Sequence, residues 1–218
     1  MAIMNYSGLL TASRGEAQNL DAYEDDMAEK DEQDLDKKGS YLYYKPLDER
    51  KQNGDWHFKM QDGETIEAIA QGSQWVACLT DNNYLRIFSH DGVQKYVMSQ
   101  PSMVVTMTGY ENLLVIIYHA GLPIFEHQQL KCKIIDIRTY KTIYDNACPI
   151  SRLAKLTWVG FSDEGMLCTM DDNGVISSLN FKNQQWIPIL DLKSKFPSTY
   201  KNIWIVGFME NCLMYIEL

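Results

Sequence analysis

The sequence predicts an all-β protein, a β-propeller of four-stranded antiparallel blades, from a repeated unit, the spacing of its copies and the chemistry of its turns. The unit follows residue 65 and consists of short hydrophobic runs separated by turns. Its copies are Ile66–Ala70 with Trp75–Thr80 and Tyr84–Phe88; Val104–Thr108 with Leu113–Tyr118; Leu156–Phe161 with Met166–Met170; and Ile203–Phe208 with Cys212–Ile216. Taking Ala68, Thr106, Trp158 and Ile205 as equivalent gives steps of 38, 52 and 47 residues, which bracket the roughly 40–50 residues of a four-stranded blade. The turns Asp62-Gly63, Asp91-Gly92, Asp163-Glu-Gly165 and Asn173-Gly174 put glycine where positive φ is needed, beside a short side chain able to bond the backbone.

Ahead of the repeat, Tyr41–Tyr44 reads as a strand that stops at Pro46, and Trp56–Met60 as a second. In the latter, Trp56, Phe58 and Met60 share one face while His57 and Lys59 share the other. These two strands are candidates to close the last blade. The stretch from Gly121 to Gln129, with Pro123 and His127, lengthens the second blade between its middle strands, where an insertion costs little stability and can reach a partner. The fourth copy ends two strands into a blade. Either Tyr41–Met60 completes a compact four-bladed ring, or further blades lie beyond residue 218, and the second reading is preferred because an unclosed sheet exposes an edge.

The charge divides the chain in two. Residues 1–40 hold ten acids (Glu16, Asp21, Glu24, Asp25, Asp26, Glu29, Asp31, Glu32, Asp34 and Asp36) against four bases, whereas the remainder carries 19 acids and 16 bases. Large apolar residues are scarce after Leu20, too few to offset the roughly 1–2 kcal/mol per residue that backbone ordering costs. Residues 1–39 are therefore expected to form a disordered acidic arm or linker, and residues 40–218 a propeller domain, incomplete at its C-terminus. Within the arm, Leu9, Leu10 and Tyr23 are apolar points at which a partner could order the segment, although most such charge runs are solvated spacers.

Composition excludes several functions. A net charge of −9 without a basic stripe argues against direct DNA binding, which depends on cations neutralising phosphates. The five cysteines (Cys78, Cys132, Cys148, Cys168, Cys212) form no C-x-x-C pair, which suits a reducing compartment. No signal-peptide pattern opens the chain and its longest apolar run, Leu113–Ile117, is too short to cross a bilayer, so a soluble intracellular protein without membrane attachment is expected.

Catalysis has no support. His119, His127 and Cys132 match no compact zinc spacing, and Asp171–Gly174 lacks the later ligands of a calcium loop and reads as a hairpin turn. Glu64 with Glu67 reads as the solvent side of a strand entrance rather than an acid/base pair. The tryptophans (Trp56, Trp75, Trp158, Trp186, Trp204) fall at strand positions where blade faces pack, so they are assigned to the core. No catalytic, cofactor-binding, metal-binding or partner-binding residue is assigned, and no cofactor is expected.

The ordered segments Tyr43–Leu47, Trp56–Met60, Ile66–Lys95, Leu156–Phe181 and Trp204–Cys212 together resemble the SepB-type propeller of a replisome adaptor family. That family is known as chromosome transmission fidelity protein 4 in yeast and as acidic nucleoplasmic DNA-binding protein, or WD-repeat and HMG-box DNA-binding protein, in animals. The resemblance implies a six-bladed, trimerising propeller in the nucleus. It also implies a non-enzymatic scaffold coupling the replicative helicase to DNA polymerase alpha-primase and supporting sister chromatid cohesion. The chain departs from the family in having about four blades, no preceding WD40 propeller, and neither the helical bundle that receives partner peptides nor an HMG box. The alternative reading is a small WD-like propeller serving an unrelated intracellular protein complex.

Overall fold

In a computed structural model the described residues are 1–13, 39–47, 54–123, 125, 127–209 and 212–218. They divide into two compact units, Met1–Pro101 and Ser102–Leu218.

The first unit holds two four-stranded antiparallel sheets. One runs β1 (Ala2–Met4), β2 (Gly8–Ser13), β3 (Tyr41–Pro46) and β4 (Trp56–Lys59); the other runs β5 (Ile66–Gln71), β6 (Trp75–Thr80), β7 (Tyr84–Ser89) and β8 (Gln94–Ser99). The second unit holds β9 (Val104–Tyr110), β10 (Leu113–His119), β11 (Leu130–Asp136) and β12 (Lys141–Ala147), then β13 (Leu156–Phe161), β14 (Leu167–Asp171), β15 (Val175–Asn180) and β16 (Gln185–Asp191). A two-stranded sheet of β17 (Ile203–Met209) and β18 (Cys212–Glu217) ends it. Each sheet is an up-and-down meander with strands paired in chain order, the pattern expected of blades. Ala68, Thr106, Trp158 and Ile205 all fall in the first strand of their sheets, so the sequence repeat and the sheets share one register.

Burial follows strand position. The second strands β6, β10 and β14 are buried on both faces, and their sequences WVACLT, LLVIIYH and LCTMD are near-continuous apolar runs rather than alternating ones. The fourth strands β8, β12 and β16 are mostly exposed, polar in part but with Val97, Ile143, Ile187 and Ile189 also facing solvent. In the first unit Leu10, Leu42, Tyr44, Ile69, Val76 and Phe88 form one core between the two sheets. In the second, Val115, Ile117, Ile134, Leu167 and Leu179 fill one interface, and Cys168, Ile176, Leu192, Ile203 and Ile205 the next.

Polar contacts of aromatic side chains fix how neighbouring sheets stack. Trp56 donates its indole N–H to the carbonyl of His90 at 2.8 Å, Tyr110 donates its hydroxyl to the carbonyl of Asp163 at 2.9 Å, and Trp186 donates to the Tyr144 hydroxyl at 3.2 Å. Gly63, Gly92, Gly165 and Gly174 all have φ of 81° or 82°, as their turn sequences require. Gly165 has a second reason to lack a side chain, because a Cβ there would lie 2.7 Å from the Tyr110 ring.

Three expectations are corrected. Residues 1–13 are not part of a disordered arm: β2 pairs with β3, Leu9 opposite Lys45 and Leu10 opposite Tyr44, and Leu10 is fully buried. The alternation Leu10-Thr11-Ala12 supplied an apolar face that sequence length and charge obscured. Residues 14–38, which carry the acidic run and Tyr23, lie outside the described residues. The strands at Tyr41–Pro46 and Trp56–Lys59 complete neither the last sheet nor a gap; they are the outer half of the first sheet, joined to β1 and β2. Trp204 is not in the core. It is 63% exposed on β17, where Trp204 and Val206 alternate with buried Ile203 and Ile205.

The thiols make a direct test of this packing. Cys78, Cys132, Cys148 and Cys168 are buried and Cys212 is exposed, all five unpaired. Burial pushes the Cys78 and Cys148 thiols up to about 12 and also raises Cys132 and Cys168, which removes the reactive thiolate. A maleimide at neutral pH is expected to label Cys212 within minutes and the other four only after denaturant is added, as read by intact mass. Because the folded values of Cys78 and Cys148 lie above the ordinary 9.0, their contribution to stability is complete below pH 9 and falls as pH rises toward 12.

Candidate functional site

The second unit gathers its irregular segments at one place, and that place is the candidate site. Four segments meet there: the β10–β11 connection, the β12–β13 connection, the β14–β15 turn, and the connection from β16 to β17, which includes the short helix α1 (Leu192–Lys195) and a 3₁₀ turn at Tyr200–Asn202.

Side chains of the first segment pin the second. His127 accepts the Leu153 N–H on Nδ1 at 3.3 Å, and Gln128 Oε1 accepts the Leu156 N–H at 3.0 Å. The tip of the first segment is apolar and solvent-facing, with Leu122 87% and Phe125 90% exposed. Leu153 is 58% exposed and has a φ of 60°, a sparsely populated conformation for a branched residue. Holding it there costs on the order of 1–3 kcal/mol, offset in part by the His127 bond.

The β14–β15 turn is built around two aspartates. Asp171 is buried, and its carboxylate accepts the Ser151 N–H at 2.9 Å, the Asn173 N–H at 3.1 Å and the Val175 N–H at 3.0 Å. Asp172 accepts the Lys155 N–H at 2.9 Å while its own N–H donates to the Lys155 carbonyl at 2.9 Å. The same two-way clasp joins Asp81 and Thr65 in the first unit, both bonds at 2.9 Å. The hairpin assignment for Asp171–Gly174 is thus correct, and its carboxylates are engaged by backbone rather than presented to a cation. The β16–β17 connection is fastened at its start by Asp191, whose carboxylate caps α1 through the Ser194 N–H at 3.1 Å. The Ser194 hydroxyl, which also donates to this carboxylate, and then the capping N–H lower the Asp191 pKa.

Between these segments lies a cleft of about 500 Å³ whose lining includes Leu153, Thr157, Met170, Asp172, Tyr200 and Ile203. Lys201 also lines it and sits 6.0 Å from the centre of the Tyr200 ring. The surrounding loops add exposed Arg152, Lys155, Lys193 and Lys195. No salt bridge among the described residues engages any of these five cations. The site therefore offers a mostly polar lining with Leu153, Met170 and Ile203 in its walls, two aspartates held by backbone N–H groups, and cations on the flanking loops.

Of the residues weighed from sequence for chemistry, His119 and Cys132 lie two register positions apart on the paired strands β10 and β11. His119 ends β10, His127 is committed to a backbone N–H, and Cys132 is fully buried in β11. Among the described residues no group of three or more His, Cys, Asp or Glu side chains is placed to hold a metal. Glu64 corrects the reading of a solvent-facing pair: Glu67 is exposed, but Glu64 is only 1% exposed. Glu64 accepts both Nη2 contacts of Arg86 at 2.9 Å, its Nε at 3.0 Å and the Thr80 hydroxyl at 2.8 Å. Leu153, Lys155, Tyr200 and Lys201 were missed altogether, since connections carry no periodicity; the recurring Asp81-Asn82 and Asp172-Asn173 after second strands was the one available signal.

Residues 1–218 match the family described as Minichromosome loss protein, Mcl1, middle region. The chain belongs to this family. It is 34% identical over 160 residues to WD repeat and HMG-box DNA-binding protein 1 of Xenopus laevis, covering 72% of this chain and 14% of that protein. It is 32% identical over 184 residues to the protein ENHANCER OF LHP1 1 of Arabidopsis thaliana, covering 83% of this chain and 19% of that protein. The chain thus spans less than a fifth of the length of either relative. Among solved structures, the crystal structure of HIRA(644-1017) aligns with a TM-score of 0.53 at 14% identity, covering 78% of this chain and 52% of that one. That likeness concerns fold alone, and with the sheets described above it makes this chain a β-propeller of four-stranded antiparallel blades.

Proposed function

We propose that this chain is the propeller part of a non-enzymatic DNA replication adaptor. In this reading it acts in the nucleus, couples the replicative helicase to DNA polymerase alpha-primase, supports sister chromatid cohesion and assembles as a homotrimer. The observation that carries the reading is the family match over the whole chain, joined by relatives at about one-third identity. A propeller with exposed loops and no convergent acid, base or metal ligands among its described residues supports a binding role over a catalytic one. The name of the Xenopus relative includes DNA binding and an HMG box, but net charge −9 gives this chain little electrostatic attraction for phosphate, and DNA contact is not part of the proposal.

The domain reading of residues 40–218 is extended to include β1 and β2, and further strands are proposed to complete the last sheet. Its support is the contrast between four sheets of four strands and one of two, whose Trp204, Val206 and Ile216 are exposed. Affinity purification from replicating cells, with mass spectrometry of the companions, tests the function. Helicase subunits together with polymerase alpha-primase are expected; a reproducible set of unrelated companions would replace the adaptor reading with that of a scaffold for another complex.

A further inference from the structure

We propose that the open edge of β18 and the hollow over β15 and β16 together bind a β-hairpin, supplied from outside residues 1–218, that adds a third and a fourth strand to the last sheet. This deepens the reading that further strands complete that sheet and rests on it, because it names the edge, the register and the chemistry of those strands.

The edge is open in a defined way. β17 and β18 are antiparallel, and the Leu218 N–H donates to the Asn202 carbonyl at 2.8 Å. Backbone groups alternate in direction along a strand, so those of Ile216 also face β17, whereas those of Leu213, Tyr215 and Glu217 face away from it. Among the described residues no strand pairs with that side. β18 also lacks the devices that blunt an edge: its sequence CLMYIE holds neither lysine nor proline, and Met214 and Ile216 are exposed. Leu213 and Tyr215 turn toward the β13–β16 sheet, Leu213 packing on the core cluster there and Tyr215 holding its ring 5.9 Å from that of Phe196.

The hollow continues an interface that is already formed. Cys168 and Met170 of β14 share one buried cluster with Ile203, Ile205 and Phe208 of β17. Cys168 pairs with Ser178, and Ser178 with Ile187, so the same face of the sheet runs outward through β15 to β16. There the cover ends in a hollow of about 350 Å³, with Met166, Phe181, Ile187 and Ile189 in its walls beside the polar Glu164 and Asn180. Phe181, Ile187 and Ile189 are 40%, 44% and 42% exposed.

The complete sheets show what fits. Their third and fourth strands turn apolar side chains onto the preceding sheet, as Leu179 of β15 and Trp186 of β16 do. A hairpin of that type sets one apolar side chain from each strand over the hollow, while its backbone pairs with β18. A second copy of this chain does not fit. Antiparallel pairing of β18 with another β18 requires a two-fold axis perpendicular to the sheet, which preserves its faces, so the copy's β13–β14 pair would fall where β15 and β16 already stand.

The test uses the 218-residue chain and a fluorescein-labelled peptide of residues 175–191, the β15–β16 hairpin, read by fluorescence anisotropy and by hydrogen exchange. Saturable binding is expected, with exchange slowed at the amides of Leu213, Tyr215 and Glu217 and unchanged at that of Ile216. A peptide carrying Leu179→Ser and Trp186→Ser should bind about tenfold or more weakly, as should the parent peptide to a chain carrying Ile187→Ser and Ile189→Ser. Tyr215→Pro in the chain should abolish binding while circular dichroism matches the parent, since the N–H it removes lies outside the β17–β18 ladder. The proposal is overturned by absence of saturable binding, by equal binding of the serine-substituted peptide, or by self-association of the chain that protects the same amides without peptide. Protection of those three amides in the monomeric chain alone would show the edge to be filled and remove the completion reading itself, whereas an open edge that ignores the peptide removes this inference only. The titration contains no replisome protein, so the adaptor reading stays with the co-purification.

Discussion

Truncating Glu64 to alanine is expected to destabilise the first unit by about 3–5 kcal/mol, the cost of breaking a buried ion pair from one side. The carboxylate is almost wholly buried, and it satisfies the Arg86 guanidinium through three contacts at 2.9–3.0 Å and the Thr80 hydroxyl at 2.8 Å. Arg86 keeps weaker company without it: Gln94 Oε1 at 3.2 Å and the Tyr84 ring at 5.7 Å. Its side chain is only 12% exposed, so water restores little. Urea unfolding followed through tryptophan fluorescence measures the loss. A decrease below about 1 kcal/mol would place the pair with ordinary surface ion pairs and contradict this account. Replacing both partners, Glu64→Met with Arg86→Leu, should recover most of the loss, because burying two matched apolar side chains leaves no orphaned charge. That comparison separates the cost of the unpaired partner from the value of the pair.

The second large effect is expected at Asp171. Asp171→Ala deprives the N–H groups of Ser151, Asn173 and Val175 of their acceptor at one stroke. Hydrogen bonds to a charged acceptor contribute about 1.5–3 kcal/mol each, and solvent can replace some of them at a turn, so a net loss of about 3 kcal/mol is expected. Hydrogen exchange distinguishes this from a diffuse loss: amides of residues 151, 173 and 175 should exchange faster while those of buried β10 remain protected. Uniform acceleration throughout the second unit would show that Asp171 supports the whole unit rather than the loops of the cleft. Asp171→Asn, which keeps one acceptor oxygen, should cost less than alanine.

Glu64 and Asp171 solve one structural problem in two ways. The clasps Thr65–Asp81 and Lys155–Asp172 make Thr80 the counterpart of Asp171 and Glu64 the counterpart of Ala154. In one sheet the buried carboxylate comes from the entry to the first strand and meets an arginine on the third; in the other it comes from the end of the second strand and meets backbone N–H groups. The sequence around Glu64 reads as polar and solvent-facing because the partner, Arg86, lies 22 residues away and nothing local announces it. The Asp171 hairpin was legible, since Asp-Asp-Asn-Gly is turn chemistry that acts within a few residues.

The same division runs through the molecule. Sequence alone determined the all-β class, the register of the first strands at Ala68, Thr106, Trp158 and Ile205, and the glycine turns, because two-residue alternation, apolar runs and positive φ are local properties written in neighbouring residues. It also carried the family resemblance, since segments in fixed order survive where no single one is distinctive. Tertiary structure alone decided that β1 and β2 join β3 and β4, that Trp204 faces solvent, that Glu64 is buried against Arg86, and that Leu153, Tyr200 and Lys201 share a cleft. Each of these depends on partners distant along the chain, and the free energy that settles them comes from burial and pairing that exist only once the sheets are stacked.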